Sequence, residues 1–238
     1  AYAEELVNQV TGEPLITVHR DTEYVKTDGF IGSFTSHLKG SEGAFEIRHG
    51  ATVLATGGKE YRGSEYGYGT DPRIVTQQEF EARLQKGDDL PASVVMIQCV
   101  GPAERYCSRI CCTTALKNAL MLKKHVPEAQ VTVLYRDVRT YGFRERIYEE
   151  ARRAGVMFVR YDFDRKPSVR VEHPNVQVVV QDLTLGKRIT LEPDMVVLSM
   201  PVVPSDGAKD LAMRLKVPVD LDGFFMEAHV KLRPVDFA

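Results

Sequence analysis

Apolar and polar residues alternate through much of the first quarter of the chain, as in β-strands with one solvent-facing side. The alternation covers residues 23–54 and is interrupted by glycines at positions 29, 32, 40 and 43. It predicts a small antiparallel meander. A weak helical pattern at residues 4–10 and a short strand pattern at 15–19 precede the meander. An apolar run at 51–58 predicts a buried strand that meets a glycine turn.

Strand and helix patterns alternate through the middle of the chain. Continuous apolar runs are typical of strands covered on both faces, whereas apolar residues three and four positions apart are typical of helices. In chain order these patterns occupy residues 93–101, 115–122, 131–135, 144–154 and 156–161. This order predicts an α/β fold with a Rossmann-like parallel sheet.

Further elements flank this unit. Thr76 begins a predicted helix, and Glu79 completes a capping box with it. A hairpin is predicted at residues 176–191, turning at Leu185 and Gly186, and a last buried strand at 195–199. We therefore expect a Rossmann-like domain at residues 70–205, with residues 1–69 and 206–238 forming parts of a second domain.

The composition narrows the class of protein. Hydrophobic residues make up 43% and charged residues 27% of the 238, and the net charge is -2. No clustered basic face for nucleic acid is expected from such a balance, and no apolar run is long enough for a transmembrane segment. The chain starts without Met and ends in a run that resembles the entry into another element, so we expect an internal piece of a longer protein.

The cysteines are confined to one short segment, where they occupy positions 99, 107, 111 and 112. A secreted disulfide scaffold would spread its cysteines along the chain, so the cluster favours a reducing, cytoplasmic location. The segment lies between a buried strand and a helix, where a dinucleotide-binding fold carries G-x-G-x-x-G. Only Gly101 remains of that motif, so we do not expect a nicotinamide cofactor in the usual position.

The sequence alone is compatible with several roles for these thiols. An iron–sulfur cluster needs about four thiolates, and the spacing of Cys107 and Cys111 predicts one face of a helical turn. Cys111 and Cys112 would point about 100 degrees apart on a helix, which requires an irregular turn. Structural zinc lacks its paired Cys-x2-Cys hairpins, and redox chemistry lacks Cys-x-x-Cys. The thiols could also be ordinary buried core residues.

Other polar positions give weaker indications. The loop at residues 135–144 follows the second strand of the α/β unit, where arginines can meet an anion. The alternative is a solvated loop with Tyr141 and Phe143 packed beneath it. His229 is expected to be a hydrogen-bonded structural residue. No Ser–His–Asp set or carboxylate pair can be assigned, so no catalytic residue is predicted.

Four segments resemble one known family, the A subunit of heterodisulfide reductase. They are Val95–Gly101, Tyr106–Thr113, Tyr135–Gly142 and Gly223–Pro234, and the resemblance runs in the same order along essentially the whole chain. A quinone-interacting relative in sulfur metabolism carries similar motifs. The resemblance implies a thioredoxin-reductase-like flavoprotein in which an FAD domain is interrupted by the Rossmann-like domain.

By this resemblance, Ala55, Thr56, Gly57 and Gly58 match a turn that touches FAD, and Cys99, Cys107, Cys111 and Cys112 match a [4Fe–4S] segment. The implied function is electron transfer or bifurcation between ferredoxin, or a hydrogenase or dehydrogenase partner, and disulfide-reducing subunits. The FAD-cradling G-x-G-x-x-G is absent from these 238 residues, so this piece alone is expected to bind FAD weakly and to be inactive. A non-catalytic interaction module with structural or zinc-binding cysteines is the alternative.

Overall fold

In the computed structural model, which describes residues 2–237, the chain forms two compact units. One unit is continuous from residue 59 to residue 202, and the other combines the chain before and after it. The strands are β1 (Glu23–Phe30), β2 (Ser33–Gly40), β3 (Gly43–His49), β4 (Gly58–Glu60), β5 (Ile74–Thr76), β6 (Ser93–Ile97), β7 (Gln130–Tyr135), β8 (Met157–Arg160), β9 (Ser168–Glu172), β10 (Asn175–Asp182), β11 (Lys187–Leu191), β12 (Met195–Leu198), β13 (Val202–Pro204), β14 (Glu227–His229) and β15 (Arg233–Phe237). The α-helices are α1 (Tyr2–Gly12), α2 (Gln77–Lys86), α3 (Cys111–His125), α4 (Glu145–Arg153) and α5 (Ala208–Leu215).

The continuous unit is built on a parallel sheet of five strands in the order β5-β12-β6-β7-β8. Side chains of β6 alternate between two cores because successive residues of a strand point to opposite faces. Val94 and Met96 pack with residues of α2, α3 and α4. Val95 and Ile97 pack with the inward-facing valines of β10, the middle strand of the antiparallel sheet β9–β10–β11. The predicted α/β fold with a parallel sheet is confirmed.

Helix α2 begins with the predicted capping box. The backbone N–H of Glu79 donates to Thr76 Oγ1 at 3.3 Å, and that of Thr76 donates to Glu79 Oε2 at 2.9 Å. Two of the unpaired N–H groups at the helix start are thereby satisfied. Gly87 ends the helix in the left-handed conformation, which suits a residue without Cβ.

The discontinuous unit contains the predicted meander, in which β1, β2 and β3 pair antiparallel. Two other predictions for this unit are wrong. Residues 15–19 and 51–57 form irregular, largely exposed backbone, with Leu15 93% and Val53 88% exposed. A strand needs a neighbouring strand for its backbone hydrogen bonds, and neither run joins a ladder within residues 2–237.

The assignment of the discontinuous unit to an FAD domain, and the boundaries at residues 69 and 205, stay predictions. Among the helices in residues 2–237, none is long and apolar enough to span a membrane.

Candidate functional site

The first cysteine lies just beyond the carboxyl end of β6. The backbone N–H of Gln98 still donates to the Leu134 carbonyl at 2.9 Å, and the buried hydroxyl of Tyr161 donates to the Gln98 carbonyl at 2.6 Å. Cys99 then adopts a φ of +59°, a left-handed conformation that is unfavourable for a residue with a Cβ. Strain of this kind is concentrated at functional sites, and it turns the chain out of the sheet at the first thiol.

The loop that carries Cys107 is fastened on both sides to the same residue. The hydroxyl of Tyr106 donates to the Val202 carbonyl at 2.7 Å, and Ser108 Oγ accepts from the Val202 N–H at 3.0 Å. The Cys107 thiol is exposed and accepts a hydrogen bond from the backbone N–H of Arg109 at 3.4 Å. An otherwise exposed thiol is thereby held in one place.

The last two cysteines form the beginning of α3. The Cys111 thiol donates to the Met200 carbonyl, and the Cys112 thiol to the Asp137 carbonyl, each at 3.7 Å. The prediction that Cys107 and Cys111 share a helical face is wrong. Helix α3 starts only at Cys111, and Arg109, with a φ of +60°, separates the loop from the helix.

All four thiols line one pocket of about 130 Å³. Four arginines at positions 105, 109, 136 and 139 line it too, against the two carboxylates of Glu104 and Asp137. Glu104 is paired with Lys166 Nζ at 2.6 Å, so the pocket is electropositive. Within residues 2–237, no group of three or more His, Cys, Asp or Glu side chains is arranged to hold a single metal ion. The thiols therefore face a pocket without converging on a single ion.

Burial and mutual repulsion disfavour free thiolates in this pocket. Desolvation, together with the neighbouring thiols, raises the pKa of Cys99 to about 11 and that of Cys111 to about 12. Burial also raises the pKa of Cys112. The positive charges of Arg136 and Arg139 oppose the rise at Cys99. Thiols of this kind lose their protons to a bound metal centre, and four soft sulfur donors are the set that an iron–sulfur cluster requires.

The loop at residues 136–144 contributes more than its sequence showed. The Arg136 guanidinium lies 3.6 Å from the centroid of the Phe163 ring, and Arg139 Nε donates to Asp137 Oδ2 at 3.2 Å. The interpretation that Tyr141 and Phe143 pack beneath the loop is wrong, since they are 62% and 86% exposed. Instead, Arg136 and Arg139 of this loop bring positive charge to the cysteine pocket. The sequence predicted that arginines of the loop could meet an anion, but it did not predict that they lie beside the cysteines.

Two site residues could not be predicted from the sequence. Arg105 and Tyr106 line the pocket, but a single arginine or tyrosine in a loop has no diagnostic spacing. The hydrogen bonding predicted for His229 is confirmed, because its Nδ1 accepts hydrogen bonds from the backbone N–H groups of Lys231 and Leu232 at 3.2 and 3.0 Å.

The proposed flavin turn belongs to the discontinuous unit. Its residues, from Ala55 to Gly58, are exposed, and Ser205 Oγ donates to the Thr56 carbonyl at 3.0 Å. Gly57 has a φ of +64°, and a Cβ at this position would find nothing within 4 Å. Small side chains and open space let a ligand approach the backbone, so the turn fits a flavin contact.

Comparison with known proteins supports the same family. The A subunit of ferredoxin:CoB-CoM heterodisulfide reductase from Methanosarcina acetivorans is 36% identical over 240 aligned residues, which cover 80% of this chain and 30% of the relative. Over this stretch, the chain is similar to the A subunits of heterodisulfide reductase. The resemblance stated from the sequence motifs is confirmed.

Other relatives agree. The iron-sulfur A subunit of CoB--CoM heterodisulfide reductase from Methanocaldococcus jannaschii is 35% identical over 216 residues, covering 80% of this chain and 32% of the relative. The chain thus spans about a third of the length of the curated relatives it matches. No family model matches the sequence.

Among solved structures, thioredoxin reductase of T. acidophilum is similar over 100% of this chain and 70% of its own, with a TM-score of 0.54 and 13% identity. The FAD-bound cadaverine monooxygenase DfoA of Erwinia amylovora is similar over 84% of this chain and 56% of its own, with a TM-score of 0.50 and 9% identity. At these identities the likeness shows the fold, which is the thioredoxin-reductase-like architecture that the family resemblance implied.

Proposed function

We propose that Cys99, Cys107, Cys111 and Cys112 hold a [4Fe–4S] cluster within an electron-transfer oxidoreductase subunit. The observation that carries the proposal is the meeting of all four thiols at one electropositive pocket beside the parallel sheet. Four thiolates bring negative charge into a half-buried site, and the surrounding arginines offset it. A purely structural role as neutral, protonated thiols would leave the arginines around them without a negative charge to offset.

We also propose that the turn from Ala55 to Gly58 contacts FAD. The open backbone around Gly57 and the thioredoxin-reductase-like fold support this assignment. Bound FAD would supply two-electron chemistry, and the cluster one-electron transfer. The chain's own contribution is to orient the flavin through the backbone of residues 55–58 and to hold the cluster with the four thiolates.

The names of the relatives suggest the partners. One name pairs ferredoxin with the CoB-CoM heterodisulfide, and two others pair H2, or H2 and formate, with both the CoB-CoM heterodisulfide and ferredoxin. We propose that the intact protein exchanges electrons with ferredoxin or with a hydrogenase or dehydrogenase partner, and passes them to a disulfide-reducing subunit. Bifurcation at the flavin, which sends the two electrons along different routes, belongs to the same proposal.

The test of the cluster is the visible spectrum and iron content of the chain after reconstitution without oxygen. C111A and C112A should each lose most of the iron and the absorption, because each removes one of four ligands. T114A is the matched control, since Thr114 lies on the same helix and does not line the pocket. Retention of iron by C111A or C112A at the level of T114A would contradict the proposed ligand set.

A further inference from the structure

One arginine of the loop after β7 forms part of the wall of the cysteine pocket. Arg139 lines the cysteine pocket together with all four thiols, and its hydrogen bond to Asp137, with the nearby Cys107 sulfur, raises the pKa of this arginine. Cys107 lies in the loop before α3 and Cys112 in its first turn. Arg139 therefore lies beside the cysteine segment although it belongs to a different part of the chain.

The other contacts of this loop fix the position of Arg139. Its Nε donates to the carboxylate of Asp137 at 3.2 Å, while the carbonyl of Asp137 lies 3.7 Å from Cys112 Sγ. The other pocket arginine of this loop, Arg136, is committed to the Phe163 ring. Arg139 is thus linked to Cys112 through Asp137, and its side chain is 36% exposed.

We propose that Arg139 raises the reduction potential of the cluster that the four cysteines hold. This inference rests on the proposed cluster. A one-electron reduction adds one negative charge to the site, and a nearby cation stabilises that charge. Hydrogen bonds to the ligating sulfurs and the net charge around them are established determinants of cluster potentials.

The experiment is a redox titration of the reconstituted 238-residue chain, followed by its visible spectrum, with iron measured on the same samples. R139Q removes the cation and R139K keeps the charge but loses the planar fork of donors. R144Q is the matched control, because Arg144 is an exposed arginine of the same loop that does not line the pocket. All three variants are compared with the unsubstituted chain.

We expect R139Q to bind iron but to have a lower midpoint potential, by at least the 59 mV that corresponds to about a tenfold change in a one-electron equilibrium constant. R139K should lie in between, and R144Q should match the unsubstituted chain. Equal potentials for R139Q and R144Q would overturn the inference. If R139Q fails to hold iron, the neutral variant R139M decides: a lowered potential supports the inference, and an unchanged potential overturns it.

The two proposals fail in different ways. Absence of iron from the unsubstituted chain would overturn the cluster and this inference with it. Iron in the unsubstituted chain with no response of the potential to Arg139 would overturn the inference and leave the cluster standing.

Discussion

The sulfur of Cys112 lies 3.7 Å from the main-chain carbonyl oxygen of Asp137, 25 positions further along the chain. The contact joins the first turn of α3 to the loop after β7. These segments meet because β6 and β7 are parallel neighbours, so that the segments after both strands emerge at the same edge of the sheet. Ligands of open α/β sheets gather at this edge, and the cysteine pocket is built there.

Replacing Gly101 should disturb the loop between the first two cysteines. Its φ is +59°, and a Cβ would lie 2.7 Å from Tyr61 Cε1 and 2.8 Å from Glu65 Oε1, two side chains that are hydrogen-bonded to each other at 3.0 Å. We expect G101A to lower the free energy of unfolding by about 2–3 kcal/mol, from left-handed strain and displaced contacts together. Denaturant unfolding measures this.

G142A is the control for backbone strain alone. Gly142 has a φ of +60°, and an added Cβ there would meet nothing within 4 Å. It should cost about 1 kcal/mol. Equal losses of unfolding free energy in G101A and G142A would mean that Tyr61 and Glu65 can move away from the added Cβ without destabilising the fold.

The ion pair between Asp71 and Arg73 should make the free energy of unfolding depend on pH in the acidic range. Hydrogen bonds from Arg73, at 2.8 Å and 2.9 Å, hold the pKa of this buried carboxyl at about 2, below its usual 3.8. A carboxyl whose pKa is lower in the folded state stabilises fully above pH 3.8, and this contribution is lost as the pH falls towards 2. D71N should therefore lower the free energy of unfolding at neutral pH by about 2 kcal/mol.

The difference between D71N and the unsubstituted chain should shrink as the pH is lowered from about 4 to about 2. Thermal unfolding at a series of pH values checks this. D88N, at an exposed aspartate, serves as the control and should stay close to the unsubstituted chain throughout. A constant difference for D71N across the series would show that the ion pair with Arg73 is not its source.

The four thiols should differ in their accessibility when no metal is bound. Cys107 is exposed, whereas Cys99, Cys111 and Cys112 are half-buried. In the metal-free chain we expect iodoacetamide to modify Cys107 at least several times faster than the other three, since alkylation requires access to the sulfur. Peptide mass spectrometry over a time course measures the order. Equal rates at all four positions would contradict the arrangement of the pocket.

Capping motifs and continuous apolar runs were enough to predict much of the continuous unit. The capping box of Thr76 and Glu79 depends only on residues three positions apart. The parallel strands are continuous apolar runs, because helices cover one face and a second sheet the other. The capping box and the buried strands each depend on a short stretch of sequence, and both are present in the structure.

Features that depend on distant partners were harder to predict. The runs at residues 15–19 and 51–57 have strand composition, yet a strand exists only where another strand pairs with it, and composition does not reveal the neighbour. The helical spacing of Cys107 and Cys111 failed because the backbone at Arg109 is left-handed. The position of Arg139 in the wall of the cysteine pocket follows from the adjacency of β6 and β7, which the spacing of the cysteines does not encode.

The most direct test of the proposed cluster is the stoichiometry of iron and acid-labile sulfide in the chain after reconstitution without oxygen. We predict about four irons and about four sulfides per chain, with a brown colour that C111A loses and T114A keeps. Absence of iron, or its replacement by a single zinc ion in a colourless protein, would contradict the assignment of the four cysteines to a cluster.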